Sequence, residues 1–312
     1  MTLFLFLAAC NACESCAPQL PDSPDEPQPR DTSEPPDDTA DSAADTAPED
    51  TGPPARCAVE EVEPNDMEEA AQTLPMEEWA CGTFQRTLDA DWFRFSSIEP
   101  GWIEISVEAA SRGSDANAQV QVVGLDGTST LSMDGYLSTD PRVVFPADAP
   151  GTWSIAVSES MLDYGDEFTW FAMASIIKQP VLWTFDEVEP NDTVAQAQTF
   201  PLGETAFGRI GRAGDLDWYR VVTGEGEDTI TFAVEAFAHG SVANTKLVLF
   251  AADGTTVLRT DYRGEIDYDP DPYFEQRVTG PTEWYLLVRT EDDRGSPYHW
   301  YTLSISSAST SP

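Results

Sequence analysis

Two short acidic motifs carry the chemistry this sequence can do. Glu61-Val62-Glu63-Pro64-Asn65-Asp66 offers four oxygen-bearing side chains in six residues, and Asp89-Ala90-Asp91 adds two more. Glu61, Glu63 and Asn65 alternate, so an extended backbone places them on one face. Pro64 disfavours a helical conformation for Glu63 before it. Asp89 and Asp91 are likewise two apart. If the two segments meet, five carboxylates converge, and such a cluster is strongly repulsive unless neutralised. A hard cation that takes six to eight oxygen ligands resolves the repulsion, and calcium is the expected ion. The alternative is structural: Asn65-Asp66 caps a following helix and Asp89-x-Asp91 shapes a turn.

The set occurs twice. Residues 61–95 and 187–221 align without a gap at an offset of 126, with 18 of 35 positions identical. The second copy supplies Glu187, Glu189, Asn191, Asp192, Asp215 and Asp217. Weaker matches follow: Asp126-Gly127-Thr128 with Asp253-Gly254-Thr255, Trp153 and Val157 with Trp284 and Val288, and Trp170 with Trp300. Self-similarity at a fixed period marks a repeated structural unit. The expected domains are residues 57–178 and 183–307. Their joining segment, 177–185, is short and apolar enough for the two to touch.

Alternation of apolar residues defines the elements that must position these motifs. It is visible in Trp92–Phe95, Trp102–Val107, Thr229–Val234 and Trp284–Val288. In the first of these, Trp92 and Phe93 are expected to enter the core and fix Asp91 near its surface. Strands of this length between turn signals indicate an all-β chain of two tandem antiparallel β-sandwich domains. Only Glu68–Thr73 and Val194–Thr199 look helical, each a short helix capped by Asn or Asp.

The residues Glu-x-Glu-Pro-Asn-Asp, a Gly, Asp-x-Asp-Trp-Phe/Tyr, Asp-Gly and a Trp/Tyr strand resemble the bacterial pre-peptidase C-terminal domain and its relatives, the collagen-binding modules of secreted collagenases. The resemblance covers both copies, about four-fifths of the chain. It implies a jelly-roll-like β-sandwich that is not itself catalytic. It also implies calcium ligation by Glu61, Glu63, Asn65, Asp66 and Asp91 and their counterparts. The acidic loop is one residue shorter than in those relatives, which bears on Asp89 and Asp215. Collagen recognition is not implied: the recognition tyrosines are replaced by Arg289 and Glu291 in copy two, and by Ser158, Glu159 and Ser160 in copy one.

The N-terminal 56 residues have a different character. Thr2–Ala9 is an apolar run fit for a signal peptide of residues 1–9. Leu7-Ala8-Ala9-Cys10 resembles a bacterial lipobox, with Cys10 as the lipidation site. Residues 17–56 hold ten prolines, eleven acidic residues and two arginines. Such a segment cannot bury enough apolar surface to offset its ordering entropy, so residues 10–56 are expected to form a disordered acidic tether. The chain is expected to be exported and lipid-anchored at the outer membrane or cell surface, where thiols oxidise. Cys13 and Cys16 fit a local disulfide. At the offset of 126, Cys57 falls on Trp183 and Cys81 on Phe207, so each pair should be neighbours and Cys57 should bond Cys81.

A formal net charge of −40, with only Lys178 and Lys246 as lysines, makes nucleic acid an improbable partner and favours divalent cations. Membrane contact is expected through the lipid anchor only. Catalysis has little support, since His239 and His299 lack repeat partners and no HExxH or GxSxG pattern accompanies them. The expected role is extracellular binding of a glycan, matrix or protein ligand. The competing reading is a structural spacer or export accessory with no ligand beyond calcium.

Overall fold

A computed structural model describes residues 57–124, 127–132, 140–262 and 271–308. The expected signal peptide, the tether, Cys10, Cys13, Cys16 and Asp126 lie outside the described residues.

The described residues of the first copy form ten strands: β1 (Val59–Glu60), β2 (Gln72–Thr73), β3 (Trp79–Thr83), β4 (Ala90–Ser97), β5 (Gly101–Glu108), β6 (Ala118–Gly124), β7 (Ser129–Ser132), β8 (Arg142–Ala147), β9 (Gly151–Glu159) and β10 (Thr169–Ile177). They form two five-stranded sheets, ordered β1-β3-β10-β5-β8 and β2-β4-β9-β6-β7. The second copy repeats the plan with β11 (Phe185–Asp186), β12 (Gln198–Phe200), β13 (Glu204–Arg209), β14 (Asp217–Val222), β15 (Glu227–Glu235), β16 (Thr245–Phe250), β17 (Val257–Asp261), β18 (Tyr273–Thr279), β19 (Glu283–Thr290) and β20 (Trp300–Ala308). Its sheets run β11-β13-β20-β15-β18 and β12-β14-β19-β16-β17. The chain is therefore all-β, with two sandwiches in tandem.

Each sandwich closes over the alternating apolar residues of its two sheets. Phe93, Phe95, Ile103, Ile105, Val107 and Trp170 fill the first core, and Tyr219, Phe232, Leu247, Leu286, Tyr301 and Leu303 the second. Full burial of each such side chain contributes about 1.5–3 kcal/mol.

The two tandem antiparallel sandwiches are as expected, and four details differ from the sequence reading. First, the short edge strands pair in parallel: β1 with β3, β2 with β4, and their counterparts likewise. Second, Trp92 does not enter the core with Phe93; it is half-buried on the opposite face, because successive strand residues point to opposite sides. Third, the helical signals shrink to single 3-10 turns, Glu68–Ala70 and Val194–Gln196, flanked by Met67 and Thr193 with no side-chain cap, while β2 and β12 take up the rest. Two more such turns occur at Ala110–Arg112 and Phe237–His239, where a left-handed Gly113 or Gly240 ends the turn. Fourth, Trp170 answers Tyr301 rather than Trp300. Trp170 pairs across the sheet with Gly82, and Tyr301 with Gly208, which is Gly82 shifted by the repeat offset.

The sandwiches are in contact. Trp102 and Val144 of the first pack on Phe207 and Trp300 of the second, with Trp102 and Trp300 ring centroids 4.9 Å apart. Trp300 Nε1 donates to the Val144 carbonyl at 2.6 Å, and Val144 N donates to the Gly240 carbonyl at 2.7 Å.

Candidate metal centre

The two acidic motifs of each copy meet because one backbone hydrogen bond joins them. Trp92 N donates to the Asn65 carbonyl at 3.0 Å, and Trp218 N to the Asn191 carbonyl at 3.0 Å. On the other flank, Glu61 N donates to the Cys81 carbonyl at 3.0 Å, and Glu187 N to the Phe207 carbonyl at 2.8 Å. The Glu63–Pro64 and Glu189–Pro190 peptides are both cis. Gln72 and Gln198 hold these segments from below: their Oε1 atoms accept from Val62 N and Val188 N, each at 2.8 Å.

In copy one, carboxylate oxygens of Glu63, Asp89 and Asp91 lie within 4.8 Å of one another. In copy two the converging trio is Glu187, Glu189 and Asp217. Asn65, Asp91, Asn191 and Asp217 are fully buried. Asn65 Oδ1, Asp91 Oδ1 and Glu61 Oε2, and Asn191 Oδ1 and Asp217 Oδ1 in copy two, are buried and accept no hydrogen bond. Buried polar atoms without a partner are rare and costly in native proteins. The Asn and Asp oxygens repeat at matching positions, whereas Glu187 Oε2, the counterpart of Glu61 Oε2, accepts from Tyr301 Oη at 3.3 Å.

The other oxygens of these groups are held firmly. Glu61 Oε1 accepts from Thr83 N at 3.2 Å and Gln85 Nε2 at 2.8 Å. Glu63 Oε2 accepts from Asn65 N at 3.0 Å, and Glu189 Oε2 from Asn191 N at 2.9 Å. Asp89 Oδ2 accepts from Gln85 N at 2.5 Å, and Asp215 Oδ2 from Gly211 N at 2.6 Å. A buried aromatic donor steadies the deepest carboxylate: Trp170 Nε1 on Asp91 Oδ2 at 3.0 Å, and Tyr301 Oη on Asp217 Oδ2 at 2.7 Å.

Glycine is required beneath these aromatics. A Cβ on Gly82 would fall 2.1 Å from Glu61 Oε2 and 2.5 Å from Trp170, and one on Gly208 2.3 Å from Tyr301.

The arrangement does not bring in every predicted residue equally. Asp66 is ion-paired with Arg86, and Asp192 with Arg212 at 2.8 Å. Asp89 also faces Arg86 at 3.7 Å, and Asp215 is ion-paired with Arg212. Each arginine thus neutralises the rim of the cluster. The interior charge is relieved differently: burial, then the adjacent Glu61, pushes Asp91 up to about 9. Burial, then Glu187, raises Asp217 well above the carboxylate range, and burial pushes Glu187 to about 7. Burial also raises Asp89. Burial thus favours the protonated form of these carboxyls, and a bound cation would favour the ionised form instead.

The donors fit calcium in chemistry: all are hard oxygens from carboxylate and amide groups, without sulfur or imidazole. Reading the sequence assigned no role in the site to Gln72, Gly82, Arg86, Trp170 or Tyr301. The first three recur identically as Gln198, Gly208 and Arg212, so identity between copies was the available signal.

Cys57 and Cys81 form a disulfide with Cα atoms 5.7 Å apart. At the matching positions Trp183 and Phe207 stack with ring centroids 4.6 Å apart. Of the two histidines, His299 is buried against Ser296, its Nδ1 2.7 Å from the hydroxyl, and His239 Nε2 lies 3.1 Å from Glu235.

No family model matches the chain, and no curated protein matches it. Among solved structures it is similar to the pre-peptidase C-terminal domain of a collagenase from Bacillus anthracis, at 17% identity and TM-score 0.29, over 35% of this chain and 93% of that one. A secreted protein from Eubacterium rectale matches at 10% identity and TM-score 0.23, over 77% and 80%. Tandem CBM51 modules of a family 98 glycoside hydrolase from Streptococcus pneumoniae match at 8% identity and TM-score 0.23, over 71% and 81%. Overlap this low carries no argument about function.

Proposed function

We propose that this chain is an exported, non-catalytic binding protein whose two sandwich modules, residues 57–178 and 183–307, each hold one calcium ion. The observation that carries the reading is the duplicated set of buried, partnerless oxygens at Asn65 and Asp91 and at Asn191 and Asp217. Calcium would be ligated by Glu61, Glu63, Asn65, Asp89 and Asp91 in the first module and by Glu187, Glu189, Asn191 and Asp217 in the second. Asp66, Asp192 and Asp215 serve mainly to anchor Arg86 and Arg212, which close the rim. The ion offsets the carboxylate repulsion and ties the N-terminal segment of each module to the strand that carries Asp91 or Asp217. Calcium of the extracellular fluid thereby rigidifies a sandwich whose exposed faces bind glycan, matrix or protein.

In this reading Cys10 carries the lipid and residues 10–56 form the tether that presents the modules at the cell surface. The motif resemblance to pre-peptidase C-terminal domains supports it. The test is a melting curve of the protein in millimolar calcium and in chelator. At 100 times the dissociation constant, linkage adds about 2.7 kcal/mol per site. A melting temperature indifferent to calcium would overturn the reading.

A further inference from the structure

The two sandwiches leave an open cleft of about 650 Å³ beside the aromatic contact that joins them. This size lies within the range of about 300–1,000 Å³ typical of small-molecule sites. Its apolar wall is Trp102, Trp183 and Phe207, with Trp102 edge-on to the other two at 6.0 and 5.9 Å between centroids. Trp183 keeps part of its surface in solvent.

The polar wall is neutralised in part. Arg209, from the second sandwich, donates twice to Asp148 of the first, at 2.6 and 2.8 Å. That bidentate pair holds Asp148 below the usual carboxylate range. Asp186 accepts the indole N–H of Trp183 at 3.0 Å. Glu187 and Glu189 also border the cleft, but their carboxylates converge on Asp217 in the acidic cluster. Gln179 adds an exposed amide.

A ligand entering here meets ring surface flanked by planar hydrogen-bonding groups, and no cation that lacks a carboxylate partner. An anion would be repelled by Asp186, the lining carboxylate that belongs neither to the Arg209 pair nor to the acidic cluster. A cationic ligand would find only Asp186, since Asp148 is held by Arg209 and Glu187 and Glu189 by the cluster, and the oligolysine arm of the test below separates that case. A neutral sugar matches both walls: its C–H face packs on indole, and its hydroxyls pair with carboxylate and amide.

We propose that the cleft between the two sandwiches binds a neutral oligosaccharide, with Trp183 as its platform and Asp186 and Gln179 as its polar contacts. This deepens the binding role proposed above and rests on that reading, but not on occupancy of the calcium sites.

The test is calorimetric titration of the full chain with neutral hexasaccharides of glucose, N-acetylglucosamine and xylose, each in calcium and in chelator. At least one sugar should give saturable heat at one site per chain. Asp186→Ala and Gln179→Ala, both at exposed positions, should each weaken it several-fold, and Trp183→Ala at least tenfold with its melting curve recorded alongside. No saturable heat from any of the sugars, or affinity unchanged in the Asp186→Ala and Gln179→Ala proteins, overturns the proposal. Tighter binding of an oligolysine or a polyuronate than of every neutral sugar also overturns it. A melting shift with calcium but no sugar heat leaves the calcium reading standing and removes this one; sugar heat without a calcium shift does the reverse.

Discussion

Replacing Asp91 by Asn should stabilise the cation-free protein and weaken it in calcium. Asp91 is fully buried, and burial together with Glu61 pushes it up to about 9. In the unfolded chain it ionises near 3.9, like any exposed aspartate. A carboxylate whose folded value is raised opposes folding wherever the unfolded chain has already lost the proton. The penalty is absent below about pH 4, grows by about 1.4 kcal/mol per pH unit, and levels off near pH 9. At pH 7 its ceiling is on the order of 4 kcal/mol, reduced in practice by movement of Glu61 and entry of water. Asn keeps the shape and an acceptor for Trp170 Nε1, which donates to Asp91 Oδ2 at 3.0 Å, and carries no charge. In chelator at pH 7.5, the Asp91→Asn chain should therefore be more stable than the parent by about 1–4 kcal/mol, the gap closing toward pH 4. With millimolar calcium the order should reverse, because a ligand charge is gone. Urea denaturation of both proteins at several pH values, with and without calcium, measures this. A variant less stable than the parent in chelator, or a ranking that calcium does not reverse, would refute the account of the buried cluster.

Other outcomes follow from the same geometry. Gly82→Ala and Gly208→Ala each press a methyl group into Glu61 and Trp170 or into Tyr301, and should each cost about 1–3 kcal/mol and lower calcium affinity at one site only, seen by calorimetry. Replacing Cys57 and Cys81 by Ser opens a loop with 24 residues of separation and should cost up to about 3.5 kcal/mol, while non-reducing peptide mapping of the parent should recover the two cysteines in one cross-linked species. Trp300→Ala removes a fully buried indole from the contact between sandwiches and should destabilise by about 3–5 kcal/mol in a denaturation curve.

Much of this architecture was legible because the chain says it twice. The offset of 126 aligned both acidic motifs and paired the cysteines with two aromatics, and period-two alternation located the long strands. The edge strands β1, β2, β11 and β12 were not legible, since two or three residues show no period and their parallel pairing is made by the return path of the chain. The match of Trp170 to Trp300 slipped by one because Trp300 and Tyr301 are both large aromatics, and only cross-strand register tells them apart. Trp300 then proved to face the other sandwich, as Trp102 does. In the site, alternation placed Glu61, Glu63 and Asn65 on one face. It could not show that Arg86 would draw Asp66 to the rim, because that ion pair spans 20 residues of sequence and depends on the turn before Asp89. The aromatic donors to Asp91 and Asp217 lie 79 and 84 residues away, beyond any local pattern.

The most direct test is a count of bound ions. Equilibrium dialysis of the full chain against calcium, followed by elemental analysis, should find two calcium ions per chain, one after either Asp91→Asn or Asp217→Asn, and none in the double variant. A stoichiometry near zero in the parent chain, or two ions retained when both aspartates are replaced, would contradict the assignment of these clusters as metal centres.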